Sequence, residues 1–96
     1  MIVECGIIHI KPGEEAAFAR GFQEARKAIE AAKGFRKIEV RRGVESPSDF
    51  LLLVWWDSVE DHTVGFRGSE NFTTWRAHIG PFFAAPPQVF HYGEAL

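Results

Sequence analysis

Four histidines carry the readiest proton chemistry in this chain: His9, His62, His78 and His91. Imidazole changes charge near neutral pH, so any of them set against a bound molecule could take or return a proton. They are scattered, with neither the i,i+4 pair nor the clustered carboxylates that zinc and iron sites use, so no metal site is expected. His62 and His91 stand out, because the patterning of their segments can turn both toward the helix-covered side of a sheet. Arg67 and Arg76 could anchor an acidic or phenolate ligand, although such arginines more often lie solvated or paired on the surface. Cys5 sits in an apolar, β-branched run and reads as a buried small hydrophobe, not a nucleophile. Gly6, Gly13 and Gly21 lack the spacing of a phosphate loop.

The aromatic residues are the second source of chemistry. Nine Phe, three Trp and one Tyr make up 14% of the chain, and most lie in its second half. Large rings fill cores, but they also line apolar ligand cavities. Trp75 with Phe66, Phe72, Phe82 and Phe83 could wall such a cavity, or could form an ordinary helix-to-sheet core. Other functions find no support in composition. A net charge of −2 provides no broad basic surface, so neither nucleic acid nor an anionic membrane is an expected partner. A single cysteine rules out an internal disulfide framework and fits a reducing compartment. Glu4 stands where a signal peptide would be apolar, and no apolar run approaches the roughly 20 residues of a membrane span, so a cytoplasmic location is expected.

The elements that must position these groups follow from periodicity. Met1–Ile10 reads as a strand, with Ile2, Glu4, Gly6, Ile8 and Ile10 on one face and Val3, Cys5, Ile7 and His9 on the other. Lys11-Pro12-Gly13 ends it. A helix follows, with Glu14-Glu15 in its first turn and an apolar stripe of Phe18, Phe22, Ala25, Ile29 and Ala32, closed by Lys33-Gly34. Phe35–Val44 alternates, placing Phe35, Lys37, Glu39 and Arg41 opposite Arg36, Ile38, Val40 and Arg42. Phe50–Trp56 is bulky and uncharged throughout, the mark of a strand covered on both faces, with Trp55 and Trp56 pointing oppositely. Asp57 or Ser58 caps a helical segment that Arg67-Gly68-Ser69 interrupts. Ser69 caps a second helix that ends at Gly80-Pro81. After the stiff stretch Phe82–Pro87, Gln88–Tyr92 is a last short strand.

The order is β-α-β-β-α-β, which is the ferredoxin-like α+β plait: one domain over residues 1–96, with a four-stranded antiparallel sheet and helices on one face. The bare face would expose several hundred Å² of Leu and Trp side chains, more than soluble monomers usually leave open. A two-fold homodimer that joins two sheets into a barrel is therefore expected.

Trp56-Asp57-Ser58-Val59-Glu60-Asp61, followed by Phe66-Arg67-Gly68-Ser69-Glu70-Asn71-Phe72-Thr73-Thr74-Trp75, resembles the antibiotic biosynthesis monooxygenase domain. That family shows a strand ending in W-x-S, an acidic helix start, and a His-x-x-Ser-x-x-Phe pattern. The strand running into Pro12-Gly13 and the Gly34-Phe35 pair match as well. The resemblance implies a dimeric α+β barrel with a pocket between sheet and helices. It also implies membership among cofactor-independent quinone-forming monooxygenases, haem-degrading enzymes and proteins without known activity. Where the family pattern has His before x-x-Ser, this chain has Phe66. The haem-degrading branch uses an Asn, a Trp and a His whose positions fall on Gly6, Phe66 and Arg76, and none matches. His78 lies two residues past Arg76, about 200° round a helix, and does not simply substitute.

These readings lead to an expectation: a cofactor-independent oxygenase acting on a phenolic or polycyclic aromatic molecule. His62 or His91 would take the proton, and Arg76 would hold the anion. Trp56, Phe66, Phe72, Trp75, His78 and Phe83 would surround the ring, with no metal and no cofactor. The alternative is a non-catalytic small-molecule-binding or stress-associated barrel of the same fold; a haem protein comes third.

Overall fold

Alternation along the first strand decides which side of the sheet carries the core. In the computed structural model, which describes residues 1–96, β1 (Ile2–His9) turns Glu4, Gly6 and Ile8 toward the helices and buries them, while Ile7 on the other face stays exposed. The sheet order is β2-β3-β1-β4, antiparallel throughout, with β2 spanning Phe35–Arg42, β3 Asp49–Trp56 and β4 Gln88–Tyr92. The two most apolar strands occupy the centre. In β3 the helix-facing set Phe50, Leu52, Val54 and Trp56 is buried. Its other set, Leu51, Leu53 and Trp55, is only partly covered within one chain. That face also carries Ile7, Phe90 and Tyr92, which are exposed.

Helix α1 (Glu15–Glu30) packs by its stripe, and Phe18, Phe22, Ala25 and Ile29 are all buried. Helix α2 (Glu70–Ile79) lies beside it and buries Trp75 and Ile79. The two backbones come so close at Gly21 that an added Cβ would overlap the His78 carbonyl, and only glycine permits that approach. One detail departs from simple alternation. A bulge between Phe35 and Lys37 shifts the β2 register, so Phe35 leaves the Lys37 side and meets the inward Trp56 edge-to-face at 6.1 Å. The loop Phe82–Pro87 is less detached than its composition implies. Phe82 closes a 3₁₀ turn, and Phe83 bridges to Ile10 at the end of the sheet.

Candidate active site

The sheet register sets the first contacts. Glu4 sits on central β1 with Val54 on one side and His91 on the other. Its carboxyl faces the helices and is buried, at 4% exposure. The Trp56 indole Nε1–H donates to Glu4 Oε1 at 2.9 Å. His62 Nε2 lies 3.4 Å from the same oxygen. On its other edge, His62 Nδ1 is 2.8 Å from His91 Nε2, and the His62 ring stacks on Trp56 at 5.5 Å. A carboxyl, two imidazoles and an indole thus form one connected polar cluster inside an aromatic core.

An irregular helix delivers His62. Ser58 Oγ accepts the Asp61 N–H at 3.2 Å, a cap at the start of the segment. From Asp61 to Phe66 the backbone is π-helical, with the Arg67 N–H donating to the His62 carbonyl at 3.0 Å across five residues. Single π turns of this kind recur at functional sites, because the wider turn re-aims side chains. Here it sends both His62 and Phe66 inward. Ser69 then ends the segment and starts α2, donating to the Phe66 carbonyl at 2.6 Å and accepting the Phe72 N–H at 3.4 Å.

A cavity of about 370 Å³ opens between the sheet and α2. The sheet contributes Glu4, Gly6, Leu52 and Val89; Phe66, Phe72, Trp75 and Phe83 supply rings; His62, Arg67 and Arg76 supply polar groups. A volume of this order lies within the range of small-molecule sites. The Arg76 guanidinium lies 5.5 Å from the Phe83 ring and 6.0 Å from the Phe72 ring. Ion pairs engage Arg26, Arg36 and Arg41, but neither Arg67 nor Arg76 has a carboxylate partner in the chain.

Burial shapes the protonation of the cluster. Loss of solvent pushes the Glu4 carboxyl up to about 7, against the smaller pull of the Trp56 hydrogen bond and Arg67. Burial pushes His62 down to about 4, helped by Arg67 and His91. His91 is lowered by the same causes, burial first and then Arg67. Near neutral pH both imidazoles are uncharged and Glu4 is only partly ionised. The arginines therefore dominate the cavity's charge, which favours an anionic ligand.

These shifts give opposed contributions to stability. Between pH 4.5 and 7 the folded chain holds the Glu4 proton more tightly than the unfolded one, so this term falls as pH rises. Between pH 4 and 6.5 the folded chain holds the His62 proton less tightly, so this term rises with pH. Where they overlap they largely cancel. Glu4→Gln removes the falling term. Its unfolding free energy is expected to climb from pH 4.5 to 6.5 relative to wild type, by up to about 1.4 kcal/mol per pH unit. Urea titrations at fixed pH values measure this, and parallel profiles for the two proteins would contradict it.

The structure gathers most of the sequence-derived candidates. His62, Phe66, Phe72, Trp75, Arg76 and Phe83 line the cavity, and His91 joins through its bond to His62. Trp56 lies beneath them, fully buried, and reaches the site only through its indole N–H and ring face. His78 is exposed on α2 and is not on the cavity wall. Phe82 stands outside as well, near Gly21. Sequence reasoning passed over Glu4 and underweighted Arg67. The signal for Glu4 was its place as the lone carboxylate in the otherwise apolar stripe Ile2, Gly6, Ile8 and Ile10.

Comparison with known proteins adds a lineage to this geometry. The family model described as antibiotic biosynthesis monooxygenase matches residues 1–78. An uncharacterized protein of Bacillus subtilis strain 168, YczJ, is 37% identical over 94 residues, covering 98% of this chain and 99% of its own. A crystal structure from Bordetella bronchiseptica, provisionally designated an antibiotic biosynthesis monooxygenase, is 39% identical. It superposes with a TM-score of 0.96 over 99% of this chain and 97% of that one. A Nitrosomonas europaea protein with the same provisional designation shares the fold at a TM-score of 0.83 and 18% identity, each chain being covered completely.

Proposed function

This chain belongs to the antibiotic biosynthesis monooxygenase family, and from that premise we propose that it oxidises a phenolic or polycyclic aromatic molecule with dioxygen and no cofactor. The observation that supports this reading most strongly is the make-up of the cavity. It combines aromatic walls, the His62 imidazole with His91 bonded behind it, and two guanidiniums without carboxylate partners. For an anthrone-like substrate, the His62–His91 pair accepts a proton from the ring carbon or phenol. The resulting anion lies against Arg67 and Arg76 between the rings of Phe66, Phe72 and Phe83. The anion itself is the reductant: it gives an electron to dioxygen, the two recombine at carbon, and loss of water leaves a quinone carbonyl. One oxygen atom enters the product and the other leaves as water, so no outside electron source is required. The protein's share is to bind the plane, lower the cost of the anion and keep water away.

The half-covered face of Leu51, Leu53, Trp55, Phe90 and Tyr92 supports a homodimer that closes two sheets into a barrel. Sedimentation equilibrium at micromolar concentration should return twice the 10.8 kDa chain mass, and a stable single chain would remove the barrel.

Incubation with a panel of anthrones and hydroquinones in air tests the chemistry. Product absorbance and oxygen uptake above a protein-free control are expected. Ligand binding without oxygen uptake would favour the second reading, a non-catalytic binder of the same molecules. Phe66 favours that alternative, since an apolar ring stands where the family pattern carries an imidazole. Haem binding, the third reading, would appear as a Soret shift on titration with haem.

A further inference from the structure

We propose that Glu4, His62 and His91 form a proton relay in which the buried carboxyl of Glu4 stores a proton that enters and leaves through the imidazole pair. The proposal deepens the oxidative reading above and rests on it for the identity of the ligand, but its geometry stands without any substrate.

Every element packed around the carboxyl presents a group to it. β3 gives it the Trp56 N–H at 2.9 Å, and the π-helical segment gives it His62 Nε2 at 3.4 Å. β4 gives it His91 as cross-strand neighbour, while Arg67 and Arg76 face the same cavity and α1 adds only the apolar Ile29. No polar side-chain atom is both buried and unpartnered. Two proton arrangements satisfy these contacts. With Glu4 ionised, His62 Nε2–H donates to Glu4 Oε1 and His91 Nε2–H donates to His62 Nδ1. With Glu4 protonated, its O–H donates to His62 Nε2, and His62 Nδ1–H donates to His91 Nε2. With the acid proton on Oε1, any other pairing of neutral rings sets two donors or two acceptors face to face at 2.8 or 3.4 Å.

The two arrangements interconvert by passing single protons. A proton arriving at His91 Nδ1 releases the Nε2 proton of His91 to His62 Nδ1. His62 then releases its own Nε2 proton to Glu4. One proton has entered, both imidazoles end neutral, and each has exchanged its protonated nitrogen. The reverse sequence returns it. His91 Nδ1 makes no hydrogen bond within the chain, so it is the free terminus of the relay. Burial of Glu4 places its titration close to the pH at which such an exchange is useful.

Nitrogen-15 NMR of the imidazoles tests this in the substrate-free protein. Between pH 5.5 and 8.5, His62 and His91 are expected to exchange their protonated nitrogens together. They should share one midpoint with the carbon-13 shift of the Glu4 carboxyl. In Glu4→Gln the exchange should vanish. The wild-type titration alone decides the matter if that variant folds poorly. Fixed tautomers while Glu4 titrates, or different midpoints for the two rings, would overturn the relay. This readout is independent of turnover, so a failed relay and a failed oxidation reaction can be told apart.

Discussion

His62→Ala should lower oxygen-dependent turnover of an accepted aromatic substrate by roughly 10²–10⁴-fold, the range that a positioned proton acceptor contributes. The ring is held on three sides, by Trp56 beneath, Glu4 at one nitrogen and His91 at the other. Water entering the space could accept a proton, but not at a fixed distance from the ligand. Initial rates of oxygen consumption measure the effect, and binding measured by quenching of Trp fluorescence should change far less. His91→Ala should give a comparable loss, because it removes the free terminus through which the relay takes up its proton. Unchanged turnover in both variants would overturn the assignment of the histidines as base.

Trp56→Ala should destabilise the fold by about 3–5 kcal/mol, the range for emptying a large buried aromatic site. The side chain has no exposed surface and touches rings from β2 and the π-helical segment: Phe35 at 6.1 Å, Phe66 at 5.9 Å and His62 at 5.5 Å. Trp56→Phe separates its two contributions. It keeps most of the ring but withdraws the N–H from Glu4, and leaving a buried acceptor unpaired costs about 1–3 kcal/mol. Since that hydrogen bond draws the Glu4 carboxyl downward, its loss should send the carboxyl higher still. Urea denaturation gives the first number and the carboxyl NMR titration gives the second. Equal denaturation midpoints for Trp56→Phe and wild type would show that the indole N–H adds nothing.

Periodicity exposed the fold because each period had one interpretation. The stripe Phe18, Phe22, Ala25 and Ile29 admitted only a packed helix, while the unbroken run Phe50–Trp56 read as a central strand from its length and the turn residues before it. The break at Arg67-Gly68-Ser69 was equally legible, since a serine before a helix announces its cap. Phe35 was misplaced because a bulge inserts one residue and reverses the faces, and nothing in local composition marks it. The site was only half visible. His62 and His91 lie 29 residues apart, and their contact depends on the β1–β4 register together with a π turn. Neither feature has a sequence period. Glu4 was displayed on the correct face, but a carboxylate in a strand reads as a surface group until its partners are known. His78 was expected around the ring, yet the turn of α2 carries it outward.

The position of β4 at the border of the sheet has a consequence for kinetics. It is five residues long and pairs with β1 alone, while β1 itself is held on both flanks. Openings that leave the interior intact should begin at such a margin. His91 rides on that strand, so each fraying event uncouples the outer imidazole while Glu4, His62 and Trp56 stay locked together. The C-terminal border then behaves as a tap on the buried acid, and whatever clamps the last strand also governs how often the store refills.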